Sequence, residues 1–589
     1  MAPPLRPGAA HVLREDACWL GLFLLGLVGF YAATWARWPL LTADSARELW
    51  VPFAVLQGAT LYQDFHYLYG PVAPWTLAGL LAAFGERLEV LYVASWLQLA
   101  AIGSLLYGVA RQLLPPRRSA VVLLLFVSHL ALGRDLRGYV WPYAFAATFG
   151  VALGLTLLLA LLRHRATGRH RWLAAAGLAW GWSLVTKLEY GAAATGLVVL
   201  HLALQAWQLR RPPAWRDLLV VATPAALAAG TVAAAVLAQV PLAAVVESVW
   251  PTKLMALWDS GGRWAGTPAT WRANLGWLAL DVVVLLAIAA SPLRGGVTPQ
   301  RHLPGWLGLL LAVGAAGVAA SPARLTHFLA EGHRTWLSPS FLLAAAVLGR
   351  ALTRLWQGED DAERSHAWTL VSAYTLLVAA RTVAHGLNDY TPYQAPVALL
   401  LWVALATTWL PRVLGTEAPS RLRLALWAVL LGALIGRHVV DLRAAYGGPH
   451  RWVEGPVGGV WNPEAIASPF AATQAELHRL LRPGERFVAG PVEMSFYLML
   501  GQPTPVREAQ LFRGYLTTAE EEEAFIRRLA QARVRYVVFS TYGEANLRFG
   551  RDYMPRLAAW LRGACRHVAT HGGAPYAITI YETPFGWPR

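Results

Sequence analysis

Charge is scarce in this chain. Of 589 residues only 14% are Asp, Glu, Lys or Arg, while 56% are hydrophobic. A soluble chain of this length would divide into several domains, each with a charged skin, and the charge for those skins is missing. Cysteine is scarcer still, with Cys18 and Cys565 at opposite ends of the sequence. Cys18 falls in an apolar run, so neither a disulfide framework nor a cysteine metal cluster is offered. The short alternating segments of a membrane barrel are lacking, as are internal repeats and low-complexity tracts.

What the sequence has instead is a succession of apolar runs of about 20 residues, the length that crosses a bilayer core as a helix. The first covers roughly Cys18 to Trp35. It follows Arg6 and Arg14, which predicts a cytoplasmic N-terminus. A cleaved signal peptide ending near Ala32 and Ala33 is the alternative for this run, but the many runs after it favour an anchor. The net charge is +16, and its basic residues do not gather on one soluble face, so no nucleic-acid partner is expected. They lie in polar gaps between apolar runs, as the anionic inner leaflet favours. These gaps are RQLLPPRR (Arg111 to Arg118), RHRATGRHR (Arg163 to Arg171), RRPPAWR (Arg210 to Arg216), LRGGVTPQR ending at Arg301, the segment from Arg350 to Arg364, and PRVLGTEAPSRLR ending at Arg423. With all of them cytoplasmic, the chain is predicted to be a polytopic α-helical membrane protein of about 13 transmembrane helices, N-terminus inside and C-terminus outside. Residues 72–84 (VAPWTLAGLLAAF) are apolar but too short to cross. They are predicted to lie in the interface or to enter the membrane partway. The first outer loop then runs from about residue 38 to 89.

The pattern changes after Asp441. GERFVAG reads as a strand. EEEEAFIRRLAQARVRYVVFS reads as a helix with an acidic start, followed by a strand. RLAAWLRGACRHVATHGG reads as helix, strand and turn, with YAITIYE as a partner strand. Residues 1–441 are therefore expected to form the transmembrane domain and residues 442–589 a soluble α/β domain on the outer side. In that domain Glu493, Tyr497, His567 and His571 are scattered and read as surface or core.

Polar residues in the loops are mostly solvated. GEDDAERSH, around Glu359, reads as such a charge run. The first outer loop is different. If DSARELW is helical, Asp44 and Glu48 share a face at i,i+4, and Arg47 lies one turn from Asp44. One reading is an interfacial helix capped by Asp44; the other is a carboxylate placed to take a proton from an attacking hydroxyl or amine. Asp64 lies in YQDFHYLYGP, beside His66, and Gly70 and Pro71 turn the chain back. Tyr62, Phe65, Tyr67 and Tyr69 fit both interfacial anchors and sugar-stacking residues. In TKLEYG, Lys187 and Glu189 are either a local ion pair or a cation for a phosphate with its partner. Arg381 ends a span ahead of HGLNDYTPYQAP, which contains Tyr393. It would snorkel to headgroups or grip a phosphate with its planar fork. His333 and Arg334 in LAEGHRTW, and Lys253 in WPTKLMALW, offer further cations.

The stretch TADSARELWVPFAVLQGATLYQDFHYLYGPVAPW resembles the first outer loop of the GT-C glycosyltransferases, most of all the branch with protein O-mannosyltransferases and the lipid A aminoarabinose transferase. The likeness lies in an acidic residue after the first span, Arg-Glu three residues later, then Gly-x-x-Leu-Tyr-x-Asp-Phe and Tyr-Gly-Pro. Lys-x-Glu-Tyr-Gly at Lys187 is similar to a stretch in the same enzymes. The resemblance implies a GT-C fold that transfers a sugar from a polyprenyl-phosphate carrier to a lipid, glycan or protein acceptor on the outer face of the inner membrane. By the same resemblance Asp44 is the catalytic base and Asp64 a second acidic site residue. Lys187, Arg381 and Arg334 would meet the donor phosphate; Glu48, His66, Tyr67, Tyr69, Glu189 and Tyr393 would contact substrate. Asp44 and Glu48 would also serve to bridge a divalent cation, although the sequence has no metal signature. The loop departs from the motifs of both the mannose and the aminoarabinose enzymes, so neither substrate is implied. Two other classes compete: a flippase of lipid-linked sugars, which predicts internal symmetry and broken helices, and a non-catalytic scaffold for envelope assembly.

Overall fold

Runs of apolar residues with no water-facing side can satisfy their backbone in lipid only as helices, and helices dominate the membrane part. The computed structural model describes residues 9–133, 138–250, 340–358, 361–384, 396–409, 436, 438–511, 514–542, 549–551 and 553–585. In chain order the helices are α1 (Ala9–Thr34), α2 (Ala43–Leu56), α3 (Val72–Phe84), α4 (Leu88–Ala110), α5 (Pro116–Phe126), α6 (Phe145–Thr167), α7 (His170–Leu184), α8 (Leu188–Leu209), α9 (Trp215–Leu237) and α10 (Leu242–Val249). Further on come α11 (Ser340–Gln357), α12 (Ala362–Ala384) and α13 (Ala398–Ala404).

Among the described residues, five helices are long and apolar enough to cross a membrane: Leu13–Thr34 of α1, and α4, α6, α8 and α9. The chain is thus an integral membrane protein by helix length and composition. The expected count of about 13 is not reached among them; residues 251–339, where part of that count falls, lie outside the described residues. α3 has 13 residues. It is too short to span, and it buries Ala73, Leu77 and Leu81 in the core.

Burial ranks the spans. In α6, 72% of the apolar window is buried, against 22% in α1 and 28% in α9. α6 is therefore the centre of the bundle, while α1 and α9 expose Leu22, Leu25, Leu219 and Leu227 as a lipid-facing surface. α7 meets α9 through Gly177 and Gly181. A Cβ there would lie 2.1 Å from the Val221 carbonyl oxygen and 2.4 Å from that of Ala225. Small residues four apart let two backbones approach in this way. α6, α8 and α12 are joined by a buried row of histidines, His164 Nδ1 to His201 Nε2 at 3.1 Å and His201 Nδ1 to His366 Nε2 at 3.2 Å.

Four of the six arginine-rich gaps meet at one end of the bundle. Arg111, Arg165 and Arg364, from three of them, line one cavity. His170, in the second gap, pairs with Asp217 beside the RRPPAWR gap at 3.0 Å. The first outer loop lies at the opposite end of α6.

Two sheets follow in the C-terminal part. β1 (His450–Gly455) and β2 (Gly458–Pro463) form an antiparallel hairpin. β3 (Arg486–Gly490), β4 (Val534–Ser540), β5 (Arg566–Gly573) and β6 (Tyr576–Glu582) form a sheet of order β3-β4-β6-β5, with β3 and β4 parallel and the other pairs antiparallel. The helices here are α14 (Glu464–Leu480), α15 (Ser495–Met499), α16 (Ala519–Gln531) and α17 (Pro555–Gly563). Alternation along the strands sorts their side chains to two sides. Phe487, Ala489, Tyr536, Val538 and Ile580 join the large core with Phe470 of α14. Val488, Val537 and Phe539 join a second core with Phe525, Leu529 and Leu557 of α16 and α17. α16 begins with a capping box, Thr518 and Glu521 each accepting the other's backbone N–H, which fixes the helix start.

This unit grips the chain leading into the first outer loop. The Trp461 N–H donates to the Ala36 carbonyl at 2.9 Å. Buried Asn462 donates to the Pro39 carbonyl at 3.0 Å and accepts from the Leu41 N–H at 3.2 Å. Ser495 donates to the Leu41 carbonyl.

Candidate functional site

α2 places three charged side chains within one turn and a half, and the acid–base arrangement starts there. Its N-cap position is Thr42, so Asp44 lies inside the first turn rather than at the cap. An acidic residue is favourable at that end of a helix. Ala43, just before Asp44, has φ +57, a left-handed conformation that costs a non-glycine residue about 1–2 kcal/mol. The anchors at Asn462 and Ser495 hold the backbone on its N-terminal side.

Arg47 is 1% exposed and has three acceptors for its fork. Nη1 donates to Asp44 Oδ1 at 2.7 Å, Nε to Glu48 Oε1 at 2.9 Å, and Nη2 to the Tyr143 carbonyl at 2.6 Å. Burial works against its charge, but Asp44, Tyr69 and Glu48 hold its pKa well above the usual arginine range. Glu48 Oε2 accepts the Phe145 N–H at 2.8 Å. Phe145 opens α6, and the first N–H groups of a helix have no partner within it. Glu48 thus ties α2 to the positive end of the central span. Burial pushes the Glu48 carboxyl up, with Arg47 and the Phe145 amide pulling the other way.

The two carboxylates differ in access. The Glu48 side chain is 4% exposed and the Asp44 side chain 24%. Among the described residues, Asp44 Oδ2 takes no hydrogen bond, so Asp44 has an oxygen ready for a proton. Arg47 stands between Asp44 and Glu48, where a bridging divalent cation would sit. The pair therefore does not fit a shared metal. Among the described residues, no group of three or more His, Cys, Asp or Glu is arranged to hold one.

Lys187 reaches the same cluster from the N-cap position of α8. Gly70 makes this possible. Its N–H donates to the Thr186 carbonyl at 2.9 Å, and a Cβ would fall 1.9 Å from the Val185 carbonyl oxygen. With a side chain there, the YLYGP turn could not lie against the residues before Lys187. As built, the Tyr69 ring lies between two cations, 5.2 Å from the Arg47 guanidinium carbon and 5.0 Å from Lys187 Nζ. Lys187 also lies 4.9 Å from the centre of the Tyr143 ring, donates to the Tyr143 hydroxyl, and pairs with Glu189 at 2.8 Å. Tyr67 stands edge-on to Tyr69 at 5.6 Å. Burial, with Glu48 nearby, raises its hydroxyl pKa well above the usual range, so it stays a neutral donor.

The C-terminal unit closes the loop. His66 stacks on Tyr515 at 4.7 Å, and Tyr515 in turn feels the charges of Arg47 and Asp44. The Arg507 carbonyl accepts the His66 N–H at 3.2 Å, and Arg507 Nη2 donates to the Tyr62 carbonyl at 2.8 Å. Burial, Arg507 and Arg528 bring the His66 pKa down to about 3. The ring is neutral at ordinary pH.

Asp64 is not brought to this cluster. It is exposed, and its Oδ2 accepts the Thr60 N–H at 2.7 Å within its own turn. No hydrogen bond or ion pair joins it to Asp44, Arg47 or Glu48. Arg334 and Tyr393 lie outside the described residues, as do His333 and Lys253; Arg381 falls in α12, with its side chain outside them. Sequence reasoning missed Tyr143, Tyr515 and Arg507. The aromatic run YVWPYAF just ahead of α6 was a usable signal for Tyr143, but nothing local marks the other two.

No family model matches the chain, and no curated protein does. It is similar to solved structures. One is the Archaeoglobus fulgidus oligosaccharyltransferase tethered with an acceptor peptide, at 12% identity and a TM-score of 0.46, covering 93% of this chain and 71% of that one. The same archaeal protein, AglB, in complex with an inhibitory peptide and a dolichol-phosphate, gives 14% and 0.41 over 93% and 71% of the two chains. ArnT from Cupriavidus metallidurans bound to undecaprenyl phosphate gives 15% and 0.46 over 97% and 100%.

Proposed function

We propose that the chain is a membrane glycosyltransferase of the GT-C type, moving a sugar from a polyprenyl-phosphate carrier to an acceptor on the outer face of the inner membrane. The observation that carries this reading is that Arg47, which holds the partly open carboxylate of Asp44, shares the Tyr69 ring with a buried lysine, Lys187. An inverting transfer needs both the carboxylate and the lysine. The acceptor oxygen or nitrogen attacks the anomeric carbon and gives its proton to Asp44 Oδ2, while the bond from that carbon to the phosphate oxygen breaks. The departing phosphate gains charge, and Lys187 is the cation beside it. Lys187 then exchanges part of its contact with Glu189 for the phosphate.

Arg47 fixes the direction of Asp44 by holding its other oxygen. Tyr67, Tyr69 and Tyr143 supply rings and hydroxyls for a sugar. Arg381, Arg334 and Tyr393 are proposed to complete the phosphate and substrate contacts. In this reading residues 1–441 form the transmembrane catalytic domain with a cytoplasmic N-terminus. Residues 442–589 form an extracytoplasmic domain that covers the site through Tyr515 and Arg507.

The test uses purified full-length protein with a panel of labelled polyprenyl-phosphate sugars and candidate acceptors. Acceptor-dependent release of the lipid phosphate, lost in Asp44→Asn, supports the proposal. Movement of an intact lipid-linked sugar across vesicles without cleavage would instead make the protein a flippase.

A further inference from the structure

At the other end of α6 lies a cavity of about 450 Å³, lined by Arg111, Gln112, Arg165, Asp361, Glu363 and Arg364 among others. That volume is within the range of small-molecule sites, about 300–1,000 Å³. Its walls come from the turn between α4 and α5, the last turns of α6 and the start of α12, and part of it is the charged run expected to be plain solvated loop. Twenty residues of α6 separate Phe145 from Arg165, a rise of about 30 Å. This cavity and the Asp44 site therefore lie about one hydrocarbon thickness apart.

The lining has two chemistries. Arg111 is already engaged, by Asp16 at 2.7 Å and by the Leu114 carbonyl at 2.6 Å. Arg165 is not. Its Nε is buried without a hydrogen-bond partner, an expensive state for a guanidinium donor. Arg364 stands in the first turn of α12, where its N–H is already met by Asp361 Oδ1 at 3.3 Å, so its guanidinium is what it brings to the cavity. Arg165 and Arg364 together match a phosphate group. Asp361 and Glu363 line the same cavity and match a positive group. A simple anion would be repelled by those carboxylates, whereas a phosphate with an ammonium two carbons away would satisfy both sets.

The cavity also sits at headgroup depth. Trp207 and Trp356 are exposed at this end, 44% and 82%, with rings 6.4 Å apart, as tryptophans of an interfacial belt are. We propose that this cavity is a binding site for the headgroup of an amine-bearing phospholipid, with its phosphodiester on Arg165 and Arg364 and its ammonium on Glu363 and Asp361. The site is separate from the sugar-transfer site and stands whether or not that reading holds.

The test is lipid retention by the delipidated full-length protein, read by native mass spectrometry after reloading with equal amounts of phosphatidylethanolamine and phosphatidylglycerol. Preferential retention of phosphatidylethanolamine is expected, falling about tenfold in Arg165→Gln, the loss of one charge-assisted contact. Glu363→Gln, an exposed change that leaves the core intact, should erase the preference while keeping phosphate binding. Competition by soluble glycerophosphoethanolamine would show that the headgroup alone suffices; retention of the lipid without such competition would show that its acyl chains contribute. Equal retention of the two lipids by the parent protein, or unchanged retention in both Arg165→Gln and Arg364→Gln, overturns the proposal.

Discussion

Asp44 and Glu48 carry the same charge one helical turn apart, yet the structure assigns them opposite duties, and two isosteric substitutions separate them. Glu48→Gln keeps the shape of a side chain that accepts from Arg47 Nε at 2.9 Å and from the Phe145 N–H at 2.8 Å. Glutamine has one oxygen and one amide nitrogen, so one of those donors would face another donor. A buried donor left unmet costs about 1–3 kcal/mol, and stripping one member from a buried ion pair about 3–5 kcal/mol. Arg47 keeps Asp44 and the Tyr143 carbonyl, and burial already disfavours the charged form of Glu48, so the lower part of that range applies, about 3 kcal/mol. Asp44→Asn is different. The Asp44 side chain is 24% exposed, and asparagine keeps an oxygen to accept from Arg47 Nη1, so the loss is that between a charged and a neutral acceptor, about 1 kcal/mol. Removing a general base lowers turnover about 100- to 10,000-fold. Thermal unfolding of the detergent-solubilised protein and lipid-phosphate release should therefore dissociate. Glu48→Gln lowers the unfolding midpoint markedly; Asp44→Asn leaves it nearly unchanged and abolishes turnover. Equal destabilisation by both variants, or normal turnover in Asp44→Asn, would refute the division of labour.

Three further outcomes are expected. Lys187→Met should raise KM for the lipid-linked donor about 10- to 100-fold, the loss of a charge-assisted contact of about 1.5–3 kcal/mol, as read by initial rates against donor concentration. Asp64→Asn keeps an oxygen for the Thr60 N–H and should leave turnover unchanged; a loss as deep as that of Asp44→Asn would give Asp64 a direct part in the chemistry. Glu493 is buried beside Ser540, and burial raises its carboxyl from 4.5 to about 7. The folded state therefore holds a proton that the unfolded chain releases. The stability from this group is complete below about pH 4.5, declines as pH rises towards 7, and is lost above, by ~3 kcal/mol. Unfolding midpoints across that window should show the decline, and Glu493→Gln should flatten it.

Much of the architecture was legible because it is local. Apolar run length separates α4, α6, α8 and α9 from the shorter α3. Alternation along GERFVAG and YAITIYE gives β3 and β6. The spacing of Asp44, Arg47 and Glu48 places all three on one helix face before any packing is known.

What folding alone decided is which of these features meet. Asp64 and Asp44 are both acids in one loop, but a hydrogen bond to Thr60 keeps Asp64 at the surface. Arg47 finds its third acceptor at Tyr143, 96 residues on. Lys187 comes beside Tyr69 only because Gly70 lets two backbones touch. Arg507 reaches Tyr62 across 445 residues of chain. Periodicity and capping act over a turn or two of backbone, so sequence fixes the face a side chain occupies. The partner across that face is set by how distant elements pack, a property of the whole chain that no short stretch records.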